Sequence, residues 1–404
     1  MAPHNVRWGI MATGGIATTF AKDILCDPST RDVSDIAHTI VAAASSSSQS
    51  RAQEFLDAIK IPNKDAKAYG SYHELVKDQN IDIVYVATPH SHHFQNAMLC
   101  LEAGKNVLCE KAFTVNAEQT RRLVKKAKEK NLFLMEAVWT RYFPLSIKIR
   151  EMITDGKIGE VLRVSADLSC NCNKPDSDSL NFGSDGDKSR MVNMDLAGGA
   201  LLDLGIYSLT WVFQILYLTQ KLEKREKPKV LAAVDKYHTG ADEMTSIICH
   251  FEKNRTMGVA TTGLRLATQP DGEGSAATGP ACRIQGTKGE IQVIGPLYRP
   301  TEYRVIMNRG PKGQVEDVIC PIPKDTNREG KEGENGWGHG MFWEADEAGR
   351  CLRDGKKQSD TISWEESITI MEVMDEVRKQ GGVVYPELID STTYDEKSPL
   401  NGKA

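Results

Sequence analysis

The sequence predicts an α/β protein with two main domains. The first is a doubly wound parallel sheet, and the second is an α/β domain built on a large, mostly antiparallel sheet. Short apolar strands alternate with helices over residues 6–137, which is the pattern of right-handed βαβ crossovers. Strand-like runs separated only by turn residues dominate residues 230–307. A chain of 404 residues is also long enough for roughly two or three domains.

The first strand, residues 6–11, is followed by a turn of small residues that leads into a helix over residues 16–25. The turn consists of Ala12, Thr13, Gly14, Gly15 and Ile16. Small residues let the backbone approach a pyrophosphate closely, and the N-terminal amides of the helix favour an anion. The strict pattern G-x-G-x-x-G is not met, so a strand-turn-helix unit without a ligand is the alternative.

The end of the second strand, residues 40–44, indicates which nicotinamide cofactor is bound. It leads into a hydroxyl-rich segment that includes Ser45, Ser46, Ser47 and Arg51. Sites selective for NAD usually carry Asp or Glu here to bind the ribose 2′-hydroxyl, and no acid occurs before Glu54. Hydroxyls and a guanidinium can instead hold a 2′-phosphate, which predicts NADP. A flexible serine-rich turn is the alternative.

The strand predicted over residues 81–87 follows helices at residues 53–59 and 72–77 and precedes one at residues 94–102. Four residues at its end are expected to face the cofactor: Thr88, Pro89, His90 and His93. Ligands of open α/β sheets bind beyond the carboxyl ends of the strands. Further Asp, Glu or Cys ligands are missing near these histidines, so we expect capping or cofactor contacts and no metal.

The stretch 106–112 is the strand around which the site is organised. It is apolar up to Glu110 and Lys111, which places a carboxylate and an amine at the carboxyl end of a buried parallel strand. A solvated charge pair at the start of a loop is the alternative. A helix and a sixth strand are predicted next, at residues 117–130 and 132–137.

The domains are predicted to span residues 1–138 and 139–390, with residues 391–404 as a C-terminal tail. The elements expected in the second domain are a helix at 145–155, strands at 161–168, 230–237, 245–251, 257–262, 281–285, 290–294 and 303–307, and helices at 343–354 and 365–380. Polar loops are expected at residues 173–188 and 268–278. A sheet of this kind can carry helices on one face and pair subunits through the other, which predicts a homodimer or a higher homo-oligomer.

A second stretch with candidate catalytic residues begins at Gly198 and Gly199 and runs into a helix that continues over residues 208–217. Asp203 and Tyr207 are four residues apart, so on a helix they share one face. An acid and a phenol can then point into one cleft. The alternative is that Asp203 caps the helix and Tyr207 only packs.

Composition and charge exclude several classes of protein. The net charge of -5 and the pI near 6.0 give no basic surface for nucleic acid, and we expect no segment that crosses a membrane. The N-terminus lacks a charged and apolar signal segment, so a cytoplasmic protein is expected. The nine cysteines have no regular spacing and fit reduced thiols; Cys170 and Cys172 have poor spacing for a metal.

The order of these motifs resembles the glucose-fructose oxidoreductase / inositol dehydrogenase / MocA family. The resemblance rests on the Gly-rich turn, Thr88-Pro89, residues 103–111 and residues 198–207. Residues 135–144 resemble the dimeric dihydrodiol dehydrogenases of that family, and residues 338–347 are similar to its fungal NADP-dependent D-xylose 1-dehydrogenases. The resemblance covers nearly the whole chain. It implies that the first domain is a Rossmann domain.

The resemblance implies a function that the residues alone do not specify. The expected reaction is the NADP-dependent oxidation of an aldose, with D-xylose as the first choice, at the anomeric carbon to the aldonolactone. The alternative is a trans-1,2-dihydrodiol or dicarbonyl dehydrogenase or reductase. A non-catalytic nucleotide-sensing protein is a third hypothesis, and the joint presence of Lys111, Asp203 and Tyr207 argues against it.

Residue chemistry and the resemblance together suggest roles. Tyr207 is expected to transfer the proton, and the ammonium of Lys111 to favour its phenolate and to bind substrate. Lys111 as the base itself is the alternative. Asp203 is expected to orient a sugar hydroxyl, and Glu110 to position Lys111 or the ribose. Trp139 and Arg141 are further expected cofactor contacts, and Tyr142 is an expected substrate contact.

One residue departs from the pattern of the family. The family usually has Pro after the Glu-Lys pair, often with a cis bond, whereas this chain has Ala112, which the fungal xylose enzymes share. A cis bond that does not precede proline costs about 3 kcal/mol, so we expect a trans bond between Lys111 and Ala112.

Overall fold

The computed structural model of the chain describes residues 2–172, 180–270, 278–308, 314–324 and 338–402. The chain divides into two compact units. The first comprises Met1–Trp139, Ile322–Ser367 and Asp390–Ala404, and the second comprises Thr140–Pro321 and Ile368–Ile389. The predicted domains are continuous, with boundaries at residues 138 and 390, whereas two later segments of the chain return to the first unit.

The first unit contains a six-stranded parallel sheet, which confirms the predicted class. Its strands are β1 (His4–Met11), β2 (Ile36–Ala44), β3 (Lys67–Tyr69), β4 (Ile83–Val86), β5 (Asn106–Glu110) and β6 (Leu134–Ala137). The spatial order β3-β2-β1-β4-β5-β6 reverses direction between β1 and β4. Met11 and Val86, which end these two strands side by side, therefore border the crevice in which open sheets of this kind bind ligands.

Five helices connect these strands: α1 (Gly15–Ile24), α2 (Gln49–Ala58), α3 (Tyr72–Lys77), α4 (His90–Glu102) and α5 (Ala117–Glu129). Ser48, Ser71 and Asn116 begin α2, α3 and α5, because each side chain accepts a backbone N–H three residues ahead. Helices α2 and α4 begin four residues before their predicted starts at residues 53 and 94. The last serines of the hydroxyl-rich segment therefore lie in or beside the first turn of α2. The histidines after β4 lie in the first turn of α4.

The core of the first unit lies against β1 and β4. The side chains of Trp8, Phe20 and Tyr85 are fully buried there. The Trp8 and Phe20 rings meet edge to face at 5.2 Å, and the Phe20 and Tyr85 rings are stacked at 3.7 Å between centroids. Aromatic packing thus fixes α1, and with it the small-residue turn, against the middle of the sheet.

The second unit contains an eight-stranded sheet. Its strands are β7 (Val161–Ser169), β8 (Lys229–Lys236), β9 (Asp242–Phe251), β10 (Thr256–Gly263), β11 (Cys282–Gly286), β12 (Gly289–Ile294), β13 (Glu302–Met307) and β14 (Val315–Ile319). The spatial order is β14-β13-β12-β11-β7-β10-β9-β8, and only β7 and β10 pair in parallel among the described residues. A mostly antiparallel sheet is therefore confirmed. Strand β14 was not predicted, because its sequence Val-Glu-Asp-Val-Ile has no regular apolar alternation and four of its five residues are exposed.

Helices α6 (Pro144–Thr154) and α7 (Ile206–Leu216) belong to the second unit. Every residue of α7 is buried, and a Cβ added to Gly258 on β10 would lie 2.3 Å from Val212, so glycine permits this close approach. The expectation that no segment is apolar and long enough to cross a membrane is wrong for Met194–Leu216. That segment is 89% buried inside the protein, as in the core helix of a globular protein.

Helix α8 (Phe342–Arg353) brings the chain back to the first unit. Asp346 on α8 accepts two hydrogen bonds from the guanidinium of Arg31, at 2.8 and 3.0 Å, and lies 2.9 Å from Nε2 of His38. All three side chains are almost completely buried, so this pairing ties α8 to the sheet. The last helices are α9 (Trp364–Gly381) and α10 (Glu387–Asp390).

The C-terminal segment, predicted as a tail, packs on the first unit over its described residues. Asn96 on α4 donates to the carbonyl of Leu400 at 2.9 Å and to Oδ1 of Asn401 at 3.0 Å, and Gln95 donates to the carbonyl of Thr393 at 2.8 Å. Asn401 is completely buried. The tail interpretation is wrong because Leu400 and Asn401 are buried and side chains of α4 bind the backbone of this segment.

The two predicted polar loops lie partly outside the described residues, which omit 173–179 and 271–277. In the described part of the first loop, Gly183–Lys188 forms a short 3-10 turn.

Candidate functional site

The turn between β1 and α1 lies at the reversal point of the first sheet and is open on its outer side. Gly14 precedes α1 without a side-chain cap on the helix amides. A Cβ added to Gly14 or Gly15 would meet no atom within 4 Å. Uncapped amides beside open space fit the pyrophosphate of a dinucleotide. Gly9 has another role, because its added Cβ would lie 2.7 Å from Ile81.

The hydroxyl-rich segment after β2 presents groups that suit a 2′-phosphate. Ser45 is buried and its hydroxyl lies 2.9 Å from that of Ser47, which is exposed. Ser48 accepts the backbone N–H of Arg51, whose side chain is exposed in the first turn of α2. Hydroxyls, a guanidinium and a helix N-terminus are therefore together at the end of β2. No carboxylate lies between Ser45 and Gln53.

The segment after β4 contains a buried threonine hydroxyl that suits a ligand and a histidine that contacts the backbone. The hydroxyl of Thr88 is buried without a hydrogen-bond partner among the described residues, which fits a place beside a ligand. Pro89 is the residue that precedes α4. The ring of His93 lies 2.8 Å from the carbonyl of Thr88 and 2.9 Å from that of Ala112. Burial lowers the pKa of His93 to about 4, so the neutral ring donates to one carbonyl at a time.

The peptide bond between Lys111 and Ala112 is cis, so the expected trans bond is wrong. Nε2 of His90 lies 3.2 Å from the carbonyl of Lys111, and His93 lies beside the carbonyl of Ala112. The carboxylate of Glu136 accepts the backbone N–H of Phe113 at 3.0 Å. These contacts define the backbone on both sides of the bond. These contacts come from α4 and β6, whereas the expectation of a trans bond considered only the type of residue that follows Lys111.

The carboxylate of Glu110 is fixed at the end of β5. It is 5% exposed, accepts the phenol of Tyr85, and accepts the backbone N–H of Lys111 at 3.2 Å. The alternative interpretation, a solvated charge pair at the start of a loop, is therefore wrong for Glu110. Its fixed position supports the expected role of orienting Lys111.

The remaining expected contacts of the cofactor and substrate are aromatic or basic. Trp139 is buried in the first unit, where its ring stacks on that of His339 with 5.8 Å between centroids. Arg141 and Tyr142 are also buried and belong to the second unit. Their contacts with cofactor and substrate stay predictions.

In the second unit, Asp242 explains one of the two glycines at positions 198 and 199, namely Gly199. The φ angle of Gly199 is 129°, and a Cβ added there would lie 2.0 Å from Oδ1 of Asp242. The other oxygen of Asp242 accepts the backbone N–H of Leu201 at 2.7 Å. Burial raises the pKa of Asp242 to about 7. This carboxylate thus holds the start of the turn that carries the acid and the phenol.

Asp203 lies on a π-helical turn, Leu201–Gly205, and Tyr207 lies in the first turn of α7. Asp203 is 8% exposed and forms an ion pair with Arg190, whose Nη1 lies 3.0 Å from Oδ2. Neither helical segment has a side-chain cap, so the capping alternative for Asp203 is wrong. Tyr207 is 5% exposed, and its ring lies 6.0 Å from that of Tyr298.

Sequence reasoning missed Arg190 and Asp242 in the second unit, and His339 and Glu344 in the first. Glu344 is fully buried, and burial together with the charges of Glu110 and Asp23 raises its pKa well above the ordinary value. Only the segment 338–347, used for the family resemblance, pointed toward His339 and Glu344. Among the described residues, no group of three or more His, Cys, Asp or Glu side chains is arranged to hold a metal ion.

The substitution Gly199→Ala should lower the free energy of unfolding by about 3 kcal/mol or more, because the new Cβ would collide with Asp242 at a strained φ. Gly156→Ala is the matched control, since Gly156 also has a positive φ of 70° but no atom within 4 Å of the added Cβ. We expect the control to lose only about 1 kcal/mol. Denaturant unfolding of both variants measures the difference, and equal losses would rule out the collision.

The chain matches two family descriptions. Residues 6–138 match the oxidoreductase family with an NAD-binding Rossmann fold, and residues 146–292 match the GFO/IDH/MocA C-terminal domain.

Full-length relatives agree with these matches. The D-xylose 1-dehydrogenase (NADP(+)) of Hypocrea jecorina is 60% identical over 399 residues, which cover 99% of this chain and 98% of that protein. The trans-1,2-dihydrobenzene-1,2-diol dehydrogenase of Homo sapiens is 34% identical over 385 residues, which cover 95% and 98%. A crystal structure of a 3-ketoreductase from Actinomadura kijaniata with NADP and TDP-benzene aligns with a TM-score of 0.69 at 20% identity, covering 93% and 98%, and supports the fold. This chain therefore belongs to the GFO/IDH/MocA family of oxidoreductases.

Proposed function

We propose that this protein oxidises an aldose, D-xylose first among them, at its anomeric carbon with NADP as the hydride acceptor. The observation that carries the proposal is the 60% identity, over 99% of the chain, to an NADP-dependent D-xylose 1-dehydrogenase. The cyclic sugar loses the hydrogen on its anomeric carbon as hydride and the anomeric hydroxyl hydrogen as a proton. The product is the aldonolactone.

The residues of the first unit fit the cofactor. When bound, NADP supplies the nicotinamide carbon that accepts the hydride. The uncapped amides at Gly14 and Gly15 would hold its pyrophosphate. Ser46, which is half-buried, and the exposed Ser47 and Arg51 would hold its 2′-phosphate, since hydroxyls and a guanidinium replace the acid that NAD-selective sites use.

The proton is assigned to Tyr207. A phenol with a reference pKa of about 10 needs a nearby positive charge to act as a base near neutral pH, and the ammonium of Lys111 is assigned that task. Asp203 orients a sugar hydroxyl as an acceptor, and its pairing with Arg190 holds the carboxylate in place. Glu110 positions Lys111 through the backbone N–H that it accepts.

A second reaction, the oxidation of trans-dihydrodiols, is favoured by the 34% identity to the human dihydrodiol dehydrogenase. Nicotinamide absorbance measured over a panel of aldoses and aromatic diols separates the two. We expect the highest kcat/KM with D-xylose and NADP. A higher kcat/KM for a diol would replace the sugar proposal.

The cofactor assignment predicts the effect of removing one guanidinium. Arg51→Ala should reduce the preference for NADP over NAD, as a ratio of kcat/KM values, by about tenfold or more, because a charged hydrogen-bond donor to the 2′-phosphate is lost. Arg122→Ala, which removes an exposed arginine on α5, is the control and should leave the ratio unchanged. A wild-type enzyme that uses NAD equally well would contradict the assignment.

We also propose that the protein is a homodimer or a larger symmetric oligomer that pairs through the open face of the second sheet. Leu231, Met244, Ile248 and Met257 are 36–55% exposed on neighbouring strands, and the strand register places them on one face. An exposed apolar face of this kind suits a second copy of the chain. Alternating burial along β9 shows that the opposite face is the buried one.

Sedimentation measures this assembly. The wild type should sediment as a dimer or larger species at micromolar concentration, and Ile248→Asp should shift it to the monomer, because a charge would be buried between apolar faces. Leu388→Asp places the same charge on α10, at a residue 51% exposed, and should leave the assembly intact. A monomeric wild type would refute the proposal.

A further inference from the structure

Two cysteines beyond the end of β7 lie side by side. The backbone N–H of Cys170 donates to the carbonyl of Gly263 at 2.9 Å, and that of Cys172 donates to the carbonyl of Leu264 at 2.8 Å. Residue 171 between them pairs with Arg265 in an antiparallel bridge. The chain is thus extended here, so the two side chains point to the same side. Their sulfur atoms are 3.0 Å apart.

This geometry is close to that of a disulfide. Residues two apart on an extended chain have Cα atoms about 6.6 Å apart, which lies within the range of roughly 4.4 to 6.8 Å seen in disulfides. The two sulfur atoms therefore need to approach by only about 1 Å to reach bonding distance. A disulfide also brings the two Cβ atoms to roughly 3.5–4.5 Å, so closing the bond bends the chain at residues 170–172.

The two thiols differ in reactivity, because the hydrogen bond with Cys172 and burial raise the pKa of Cys170. The hydrogen bond from Cys170 lowers the pKa of the Cys172 thiol to about 7, against burial and the charge of Asp203, which raise it. A large fraction of Cys172 is therefore thiolate near neutral pH. Burial raises the pKa of Cys249 to about 12, so a deeply buried thiol of this protein stays protonated. Both members of the pair are partly exposed.

The pair is connected to the acid of the proposed active site through packing. Cys170 and Cys172 pack against the apolar cluster formed by Leu180, Val192, Ala200, Ala241 and Leu264. Met191 and Leu204 pack against the same cluster, and they are the sequence neighbours of Arg190 and Asp203. The charges of Asp203 and Arg190 also act on the Cys170 thiol. The two sulfur atoms and the segments that carry the Arg190–Asp203 ion pair therefore pack on the same apolar cluster.

We propose that Cys170 and Cys172 form a reversible dithiol–disulfide pair whose oxidation displaces the Arg190–Asp203 ion pair. The oxidant is a small-molecule disulfide such as oxidised glutathione. The Cys172 thiolate attacks one sulfur of that disulfide and releases one thiolate, which takes up a proton. Cys170 then loses its proton to solvent and attacks the sulfur of Cys172, releasing the second small thiol. Two protein thiols are oxidised, and one small disulfide is reduced to two thiols.

The effect on turnover rests on the proposed function, because it assumes that Asp203 orients the sugar. Oxidation should then raise the KM for D-xylose by about fivefold to tenfold, the loss of roughly one hydrogen bond, without changing the affinity for NADP. Dithiothreitol should restore the original KM.

The test uses the full-length protein, treated with oxidised glutathione and then digested. We expect the peptides that contain Cys170 and Cys172 to lose two hydrogens and carry no glutathione. Hydrogen–deuterium exchange over Leu201–Gly205 should increase on oxidation. This measurement detects the displacement of the ion pair without an activity assay. Cys172→Ser should abolish all these changes, whereas Cys320→Ser, which removes another partly exposed thiol, should leave them intact.

Two results would overturn the proposal. One is a stable glutathione adduct on Cys172 without the internal disulfide. The other is an internal disulfide that changes neither the exchange of the turn nor the KM for D-xylose. If the reduced protein fails to oxidise D-xylose at all, the proposed function is wrong, and the mass and exchange measurements still decide on the thiol pair.

Discussion

Tyr207→Phe should lower kcat by about a hundredfold or more, while NADP binding stays nearly unchanged. The substitution keeps the ring, which is buried at the start of α7 and faces Tyr298, and removes only the oxygen assigned to proton transfer. General acid–base groups commonly contribute this much to a rate. Steady-state kinetics with D-xylose and titration of NADP measure the two effects separately.

Tyr298→Phe is the matched control, because it removes a phenol from the neighbouring ring in the same unit. It should retain most of the turnover. Near-normal turnover of Tyr207→Phe, with an unchanged rising limb of the pH profile, would mean that Tyr207 only packs. Loss of NADP binding in this variant would mean that the ring shapes the cofactor pocket.

Lys111→Ala should reduce kcat/KM for D-xylose by about a thousandfold, because the ammonium is assigned both to the phenolate and to the substrate. Its removal should also move the pH profile. An ammonium lowers the pKa of a neighbouring phenol, so without it the rising limb of kcat/KM should shift to higher pH. The pH dependence of kcat/KM in both enzymes measures this shift.

Lys111→Arg separates the two possible bases. Arginine keeps the positive charge at every accessible pH and cannot act as a base. If the charge alone matters, Lys111→Arg should regain part of the activity that Lys111→Ala loses. An inactive Lys111→Arg together with an active Tyr207→Phe would identify Lys111 as the base.

Much of the fold could be predicted because its strands are short, apolar and separated by clear turn residues. The regular alternation before residue 138 was enough to predict the parallel sheet. Strand β3 was missed because three residues are too few to show periodicity. Helices α2 and α4 were predicted too short at their starts, since serines and histidines in a first helical turn resemble a loop in composition.

The candidate residues of the site could be proposed from the sequence because they stand at strand ends and in glycine-rich turns. Their supports were not visible, because these are contacts between residues distant in sequence. Asp242 holds the N–H of Leu201, which lies 41 residues earlier. The cis bond before Ala112 is flanked by contacts from α4 and β6. No local pattern in the sequence records either relationship.

The late return of the chain to the first unit affects how the protein is made. Gly338 and Met341 donate backbone N–H groups to the buried carboxylate of Asp23, at 3.1 and 2.9 Å, and Asn96 binds Leu400 and Asn401. On the ribosome, domains usually fold in order from the N-terminus. Here the nascent parallel sheet lacks the partners of a buried acid and an asparagine until residues 338–401 have been synthesised. The nucleotide-binding unit begins first and is completed last, so premature termination before residue 400 should leave its surface open to chaperones.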